Sequence, residues 1–221
     1  IDREWQRPLY EYCKERGVSF LSSPCDYEAV DQLESIGVGA HKISSFDIPD
    51  LDLVRYIAST GTPIIMSTGL ANWMEIQRAV DACRSVGNND IVMLQCTSLY
   101  PAPTHLSNLN AMNSMSCAFN VLTGYSDHTE GDVIPCASVA MGACVLEKHF
   151  TLDRTLPGPD HHFAMEPDEL TSMVEKIRMI EESFGDGQKD GPRDEETDVS
   201  MKSRRSIHAA YDIPAGSKIS S

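Results

Sequence analysis

Two histidines in this chain each close an apolar run, one strand-and-helix unit apart. His128 ends Asn120-Val121-Leu122-Thr123-Gly124-Tyr125-Ser126-Asp127-His128, and His149 ends Val145-Leu146-Glu147-Lys148-His149. Neutral imidazoles at the same ends of neighbouring strands can hold a divalent ion. The same residues can equally serve as hydrogen-bonding strand-end side chains. Asp127 and Glu147 are close in sequence, but alternation along each strand is expected to turn them away. His161 and His162 follow Gly158-Pro159-Asp160 and read as a loop pair, more often solvent-facing than ligating.

Lys42 sits inside an apolar run and is followed by Ser44, Ser45 and Asp47. A lysine there can form a Schiff base with a carbonyl substrate. It can stay charged and bind phosphate or carboxylate, or it can be a salt-bridged structural lysine. Lys148 precedes His149 and by the period of two faces the other way. Ser23, Ser45, Ser67, Ser98 and Ser126 recur at or near successive strand ends. A ring of hydroxyls and loop N–H groups suits phosphate oxygens. Cys25 and Cys96 also lie near strand ends, but neither has a local base motif that would mark a nucleophile.

The elements that must position these groups alternate regularly. Strand-like runs are expected at 18–22, 40–44, 63–67, 91–97, 121–125 and 145–149. Helix-like stretches are expected at 5–16, 27–36, 51–59, 73–86, 109–119, 133–141 and 167–184. Alternation with short links implies a parallel sheet with right-handed crossovers. The strands are apolar on consecutive positions, as when both faces are buried. A closed (β/α) barrel needs eight strands and places its chemistry at their C-terminal ends. Six strands after an opening helix are accounted for by a barrel without its first two βα units. A doubly wound open sheet is the alternative, but no G-x-G-x-x-G follows the first strand. Residues 185–203 are polar and aperiodic and read as a linker. Residues 204–221 read as the start of a small second domain.

The chain has 221 residues, is 41% hydrophobic and carries a formal charge of −15. That charge argues against general affinity for nucleic acid or anionic membrane. No run of about 18 apolar residues indicates a membrane span. Seven scattered cysteines without a C-x-x-C pair read as reduced thiols of a cytoplasmic protein. The chain opens on Ile1 rather than Met, so its lack of a signal-peptide pattern says little about targeting.

The series Lys42-Ile43-Ser44-Ser45, Ser67-Thr68-Gly69, Gln95-Cys96-Thr97-Ser98-Leu99-Tyr100-Pro101-Ala102-Pro103, Gly124-Tyr125-Ser126-Asp127-His128-Thr129, Glu147-Lys148-His149-Phe150-Thr151-Leu152-Asp153 and Gly158-Pro159-Asp160-His161 resembles the sialic acid synthase family. The likeness runs in order over nearly the whole chain. It implies a TIM barrel followed by a small antifreeze-like (SAF) domain, in a domain-swapped homodimer. The implied reaction condenses phosphoenolpyruvate with an N-acetylated hexosamine aldehyde and releases phosphate. The resemblance implies Mn²⁺ or Mg²⁺ on His128 and His149. It also implies a phosphoenolpyruvate pocket of Ser23, Lys42, Ser45, Ser67 and Ser126, and sugar contacts from Ser98, Tyr100 and Asp160.

Asp47 stands where the family often has Glu, and is the expected catalytic acid beside Lys42. One methylene less moves a carboxylate by roughly 1.5 Å, a shift that can cost about 100-fold in rate. The resemblance also implies an acidic residue and a lysine from barrel strands before residue 1, and an arginine from the partner's second domain. Two rival readings are a Schiff-base or other metal-dependent barrel aldolase and a non-catalytic sugar-binding derivative.

Overall fold

The computed structural model describes residues 2–218 and divides the chain into two units, Ile1–Ser183 and Phe184–Ser221. Ile1 and residues 219–221, the end of the expected second domain, lie outside the described residues.

In the first unit β1 (His41–Ile43), β2 (Ile64–Ser67), β3 (Ile91–Cys96), β4 (Leu122–Asp127) and β5 (Leu146–Lys148) form one parallel sheet in chain order. The helices are α1 (Gln6–Glu15), α2 (Tyr27–Ile36), α3 (Leu51–Ser59), α4 (Trp73–Ser85), α5 (Asn110–Phe119), α6 (Val133–Ala140) and α7 (Pro167–Ser183). This is a parallel half-barrel α/β fold. Local chemistry starts three of these helices sharply. Asp26 and Asp50 accept backbone N–H bonds as N-caps of α2 and α3, and Asn72 with Glu75 forms a capping box on α4. Gly37 closes α2 at φ +79°, where a side chain would be strained.

The register separates two faces. Ile43, Ile64, Met66, Ile91 and Met93 point outward, buried with Leu53, Val54 and Ile57 of α3 and Ile76, Ala79 and Val80 of α4. Full burial of such side chains contributes about 1.5–3 kcal/mol each. The inner face carries the row Cys96–Ser126–Glu147, paired strand to strand. Gly124 lies on that face, where a Cβ would come within 2.2 Å of the Val145 carbonyl and 2.8 Å of Leu94. Only glycine allows β4 and β5 to approach this closely.

The expected strand at 18–22 is not part of the sheet. Its one ladder-like bond runs from Lys42 N–H to the Ser22 carbonyl at 3.3 Å, and Val18 and Leu21 are exposed. One backbone bond does not make a ladder, so the segment stays extended without becoming a strand. Conversely, β4 runs on through Ser126 and Asp127, past the expected end, because Asp127 still pairs with Lys148.

In the second unit, the stretch expected to be a linker contains a 3-10 turn (Asp194–Glu196) and α8 (Thr197–Ser203). The helix is polar and exposed, supported by an i,i+4 Asp198–Lys202 pair at 2.6 Å. The strand-like run at 204–210 is not a strand among the described residues.

Candidate active site

Strand ends bring the singled-out residues onto one rim. Lys42, on β1, places Nζ 3.5 Å from Glu147 Oε2 on β5. Ser126 Oγ donates to the other Glu147 oxygen at 2.6 Å. Lys42, Glu147, Ser22 and Ser23 line a cleft of about 300 Å³ on the inner face. Glu147 therefore faces inward. Asp127 faces away, against Lys148 Nζ at 2.6 Å. The expectation that both acids turn away holds for Asp127 only. Parity could have found Glu147: two residues before His149 on the same strand, it shares that histidine's face.

Around this cluster lie the hydroxyls. Ser45 Oγ accepts from the Gly69 N–H at 2.9 Å, which leaves its own proton to be donated. Ser67 Oγ is buried without a hydrogen-bond partner. Ser98 Oγ lies 3.9 Å from Cys96 Sγ, and a Cβ built on Gly69 would come within 2.2 Å of it. Ser98 thus packs beside Ser45 against Gly69. Asp47 accepts from Ser44 Oγ at 2.6 Å. Its charge also bears on Cys25, whose thiol is raised mainly by burial.

His128 and His149 stand with ring centroids 5.2 Å apart. His128 Nδ1 lies 2.7 Å from the Thr97 carbonyl. A carbonyl only accepts, so Nδ1 carries the proton and Nε2 keeps a free lone pair. Cys96 Sγ is 3.9 Å from the same Nδ1. That nitrogen is committed to Thr97, so it offers Cys96 no general base. Burial opposes ionisation of the Cys96 thiol, yet contacts with His128, Ser45 and Ser126 hold it below its ordinary value. Burial also opposes protonation of His128, but Cys96 and the Thr97 carbonyl outweigh it and leave the imidazole raised. His149 is lowered by burial and by the neighbouring His128.

The spacing of the two rings would admit a divalent ion between them. An imidazole-bound ion lies roughly 3 Å from its ring centroid, so rings 5.2 Å apart can share one. Among the described residues no group of three or more His, Cys, Asp or Glu side chains forms a metal cluster. The Tyr100 ring stacks 4.2 Å from His128, and buried Phe163 lies 5.0 Å from His149. Asp160 Oδ2 is 3.6 Å from His149 Nδ1. Tyr100 and Asp160 thus border the histidines. His161 is not free in solvent: Nδ1 bonds Thr151 Oγ1 at 2.7 Å.

Residues 1–189 match the model of the NeuB family. The chain belongs to the NeuB family. It is 41% identical over 218 residues to an N,N'-diacetyllegionaminic acid synthase of Campylobacter jejuni, covering 98% of this chain and 65% of that protein. Among solved structures it superposes on the spore coat polysaccharide biosynthesis protein spsE of Bacillus subtilis with a TM-score of 0.77 and 43% identity, over 81% of this chain and 51% of the other. It superposes on the N-acetylneuraminic acid synthetase of Leptospira borgpetersenii, in complex with citrate, with a TM-score of 0.83 and 32% identity. That match covers 93% of this chain and 73% of the other. The chain spans between 50% and 65% of the length of the first curated relatives it matches. No helix among the described residues is long and apolar enough to cross a membrane.

Proposed function

We propose that the whole protein condenses phosphoenolpyruvate with an N-acetylated amino-sugar aldehyde to a nonulosonic acid and releases phosphate. The observation that carries this reading is the meeting of two clusters on one rim. Lys42, Ser126 and Glu147 form one, and His128, His149 and Tyr100 form the other. The names of the Campylobacter and Leptospira relatives point the same way.

Lys42 supplies a positive point charge to the phosphate and carboxylate of phosphoenolpyruvate. Ser45 donates its free hydroxyl proton, and the buried, unpartnered Ser67 hydroxyl gains an acceptor. Ser23 lines the cleft wall beside Lys42. Tyr100 and Asp160 border the sugar. Ser98 closes the gap between the two substrates. A divalent ion, Mn²⁺ or Mg²⁺, held by His128 and His149 would polarise the aldehyde oxygen as a Lewis acid.

Bond formation joins the enol carbon to the aldehyde carbon as the enol π pair moves into the new bond, and the aldehyde oxygen takes up a proton from solvent. The cationic carbon left behind takes up water, whose proton passes to Glu147. The carbon–oxygen bond to phosphate then breaks, the new hydroxyl gives its proton to the departing phosphate, and a ketone is left. Glu147 suits proton handling better than Asp47 because it lines the cleft together with Lys42. Ser126 holds Glu147 in place.

The same reading includes a complete TIM barrel whose other three strands come from two further βα units and the 18–22 segment, a SAF domain from residue 204 on and a domain-swapped homodimer in the cytoplasm. Phosphate release by the full-length protein tests the function. The assay supplies phosphoenolpyruvate and Mn²⁺ with N-acetylmannosamine, a 2,4-diacetamido-2,4,6-trideoxyhexose, or no sugar. Sugar-dependent release that a chelator abolishes supports the reading. A borohydride-trapped substrate adduct on Lys42, or no release with any sugar, sinks it.

A further inference from the structure

Behind the two histidines lies a buried ion pair with no place in the chemistry above. Asp127 and Lys148 are register partners at the ends of β4 and β5. Asp127 is 1% exposed and the Lys148 side chain 6%. Each directly precedes one histidine. The Asp127 carboxylate accepts from Lys148 Nζ at 2.6 Å, from the Thr129 N–H at 2.9 Å and from the Thr129 hydroxyl at 3.1 Å. Lys148 Nζ also donates to the Thr129 carbonyl.

These bonds grip the residues on either side of His128. The His128 carbonyl is held in addition by the Ala102 N–H at 2.9 Å. The His149 carbonyl accepts from the Met165 N–H at 2.9 Å. Stability alone is a poor reason for such a pair, because replacing both charges with apolar groups is often neutral or stabilising. What an ion pair adds over apolar packing is direction. Here that direction ties the strand end before His149 to the loop through His128.

We propose that Asp127 and Lys148 are positioning residues that fix the separation and facing of His128 and His149, so that ion affinity depends on a pair touching neither ion nor substrate. The proposal rests on the reading of the two histidines as ion ligands.

Mn²⁺ binding to the full-length protein, followed by electron paramagnetic resonance, tests it. Removing one charge leaves the other buried and unpaired, which can unfold the chain. The informative variant is therefore the double one, Asp127→Asn with Lys148→Met. Thr129→Val serves as a milder second, removing only the hydroxyl bond to Asp127. The double variant is expected to bind Mn²⁺ about 10–100-fold more weakly, as for other supports behind metal ligands. Thr129→Val is expected to lose several-fold, and the phosphoenolpyruvate KM at saturating Mn²⁺ is expected to stay within about twofold. Unchanged Mn²⁺ affinity in whichever variant folds overturns the proposal, as do equal losses of Mn²⁺ and phosphoenolpyruvate affinity. His128→Ala separates the two levels: if it leaves Mn²⁺ affinity unaltered, the ligand reading fails and this inference with it.

Discussion

Lys42 and Glu147 sit on opposite edge strands of a five-stranded sheet, yet their charged groups are 3.5 Å apart. A flat sheet would hold those strands roughly 19 Å apart at about 4.8 Å per step. Extended Lys and Glu side chains together reach only about 10 Å. The sheet must therefore curl, and the curl brings β1 chemistry to β5. This one contact links the fold to the site: without curvature, Lys42 and the histidines would face separate regions.

Glu147→Gln should separate binding from turnover. The amide still accepts from Ser126, but it cannot take a full proton from water. The rate constant kcat is expected to fall about 10²–10⁴-fold, the usual scale for losing a general base. The phosphoenolpyruvate KM should hold or fall, since an anion beside an anionic substrate is gone. A raised KM with kcat intact would assign Glu147 to binding only.

His128→Ala and His149→Ala should each lower Mn²⁺-dependent phosphate release by about 100-fold or more, as expected when a Lewis-acid site loses a ligand. Titration with Mn²⁺ should recover part of the activity at high concentration. Activity insensitive to both substitutions and to chelator would contradict the two-histidine site.

Gly69→Ala introduces a methyl that would lie 2.2 Å from Ser98 Oγ, 2.9 Å from Ser45 Oγ and 3.1 Å from Cys96 Sγ. Overpacking of this kind costs about 1–3 kcal/mol. Displaced Ser45 also loses its place against the Gly69 N–H. A lower Tm together with a phosphoenolpyruvate KM raised about tenfold is expected from thermal melts and steady-state kinetics. A KM at the wild-type value would remove Ser45 from the anion site.

Alkaline pH should weaken the fold through two buried groups. Burial pushes the Cys83 thiol up to about 11 and the Tyr125 hydroxyl up to about 12. Because the folded values lie above the unfolded ones, the neutral forms stabilise the native state fully below the unfolded pKa. That contribution is lost as pH rises from about 9 towards 11 for Cys83, and from about 10 towards 12 for Tyr125. Urea melts at pH 7 and pH 10.5 should show a smaller stability loss in Cys83→Ala than in the parent, by about 2 kcal/mol. Equal losses would place the Cys83 thiol in contact with water.

Much of this was legible from periodicity. Apolar runs with β-branched residues located all five sheet strands, and amphipathic spacing located α1 to α7 within a residue or two. The segment at 18–22 has the same local character but makes only the Lys42–Ser22 ladder bond, and pairing is what decides a strand. The helix at Thr197–Ser203 escaped because it buries nothing, so no apolar period marks it. At the site, strand ends gave the histidines, Lys42 and the serines. Glu147 was in view but needed parity argued from His149. The grip of Asp127 and Lys148 on Thr129 could not be read at all, because it depends on tertiary register between β4 and β5.

The most direct test of the central claim follows the oxygen that links carbon to phosphorus in phosphoenolpyruvate. The full-length protein would be given substrate labelled with ¹⁸O at that bridge, Mn²⁺ and an accepted amino sugar, and the released phosphate weighed by mass spectrometry. Carbon–oxygen cleavage at the Lys42–Glu147 rim places the label in phosphate and leaves the sugar acid unlabelled. Unlabelled phosphate with a labelled sugar acid would contradict the account.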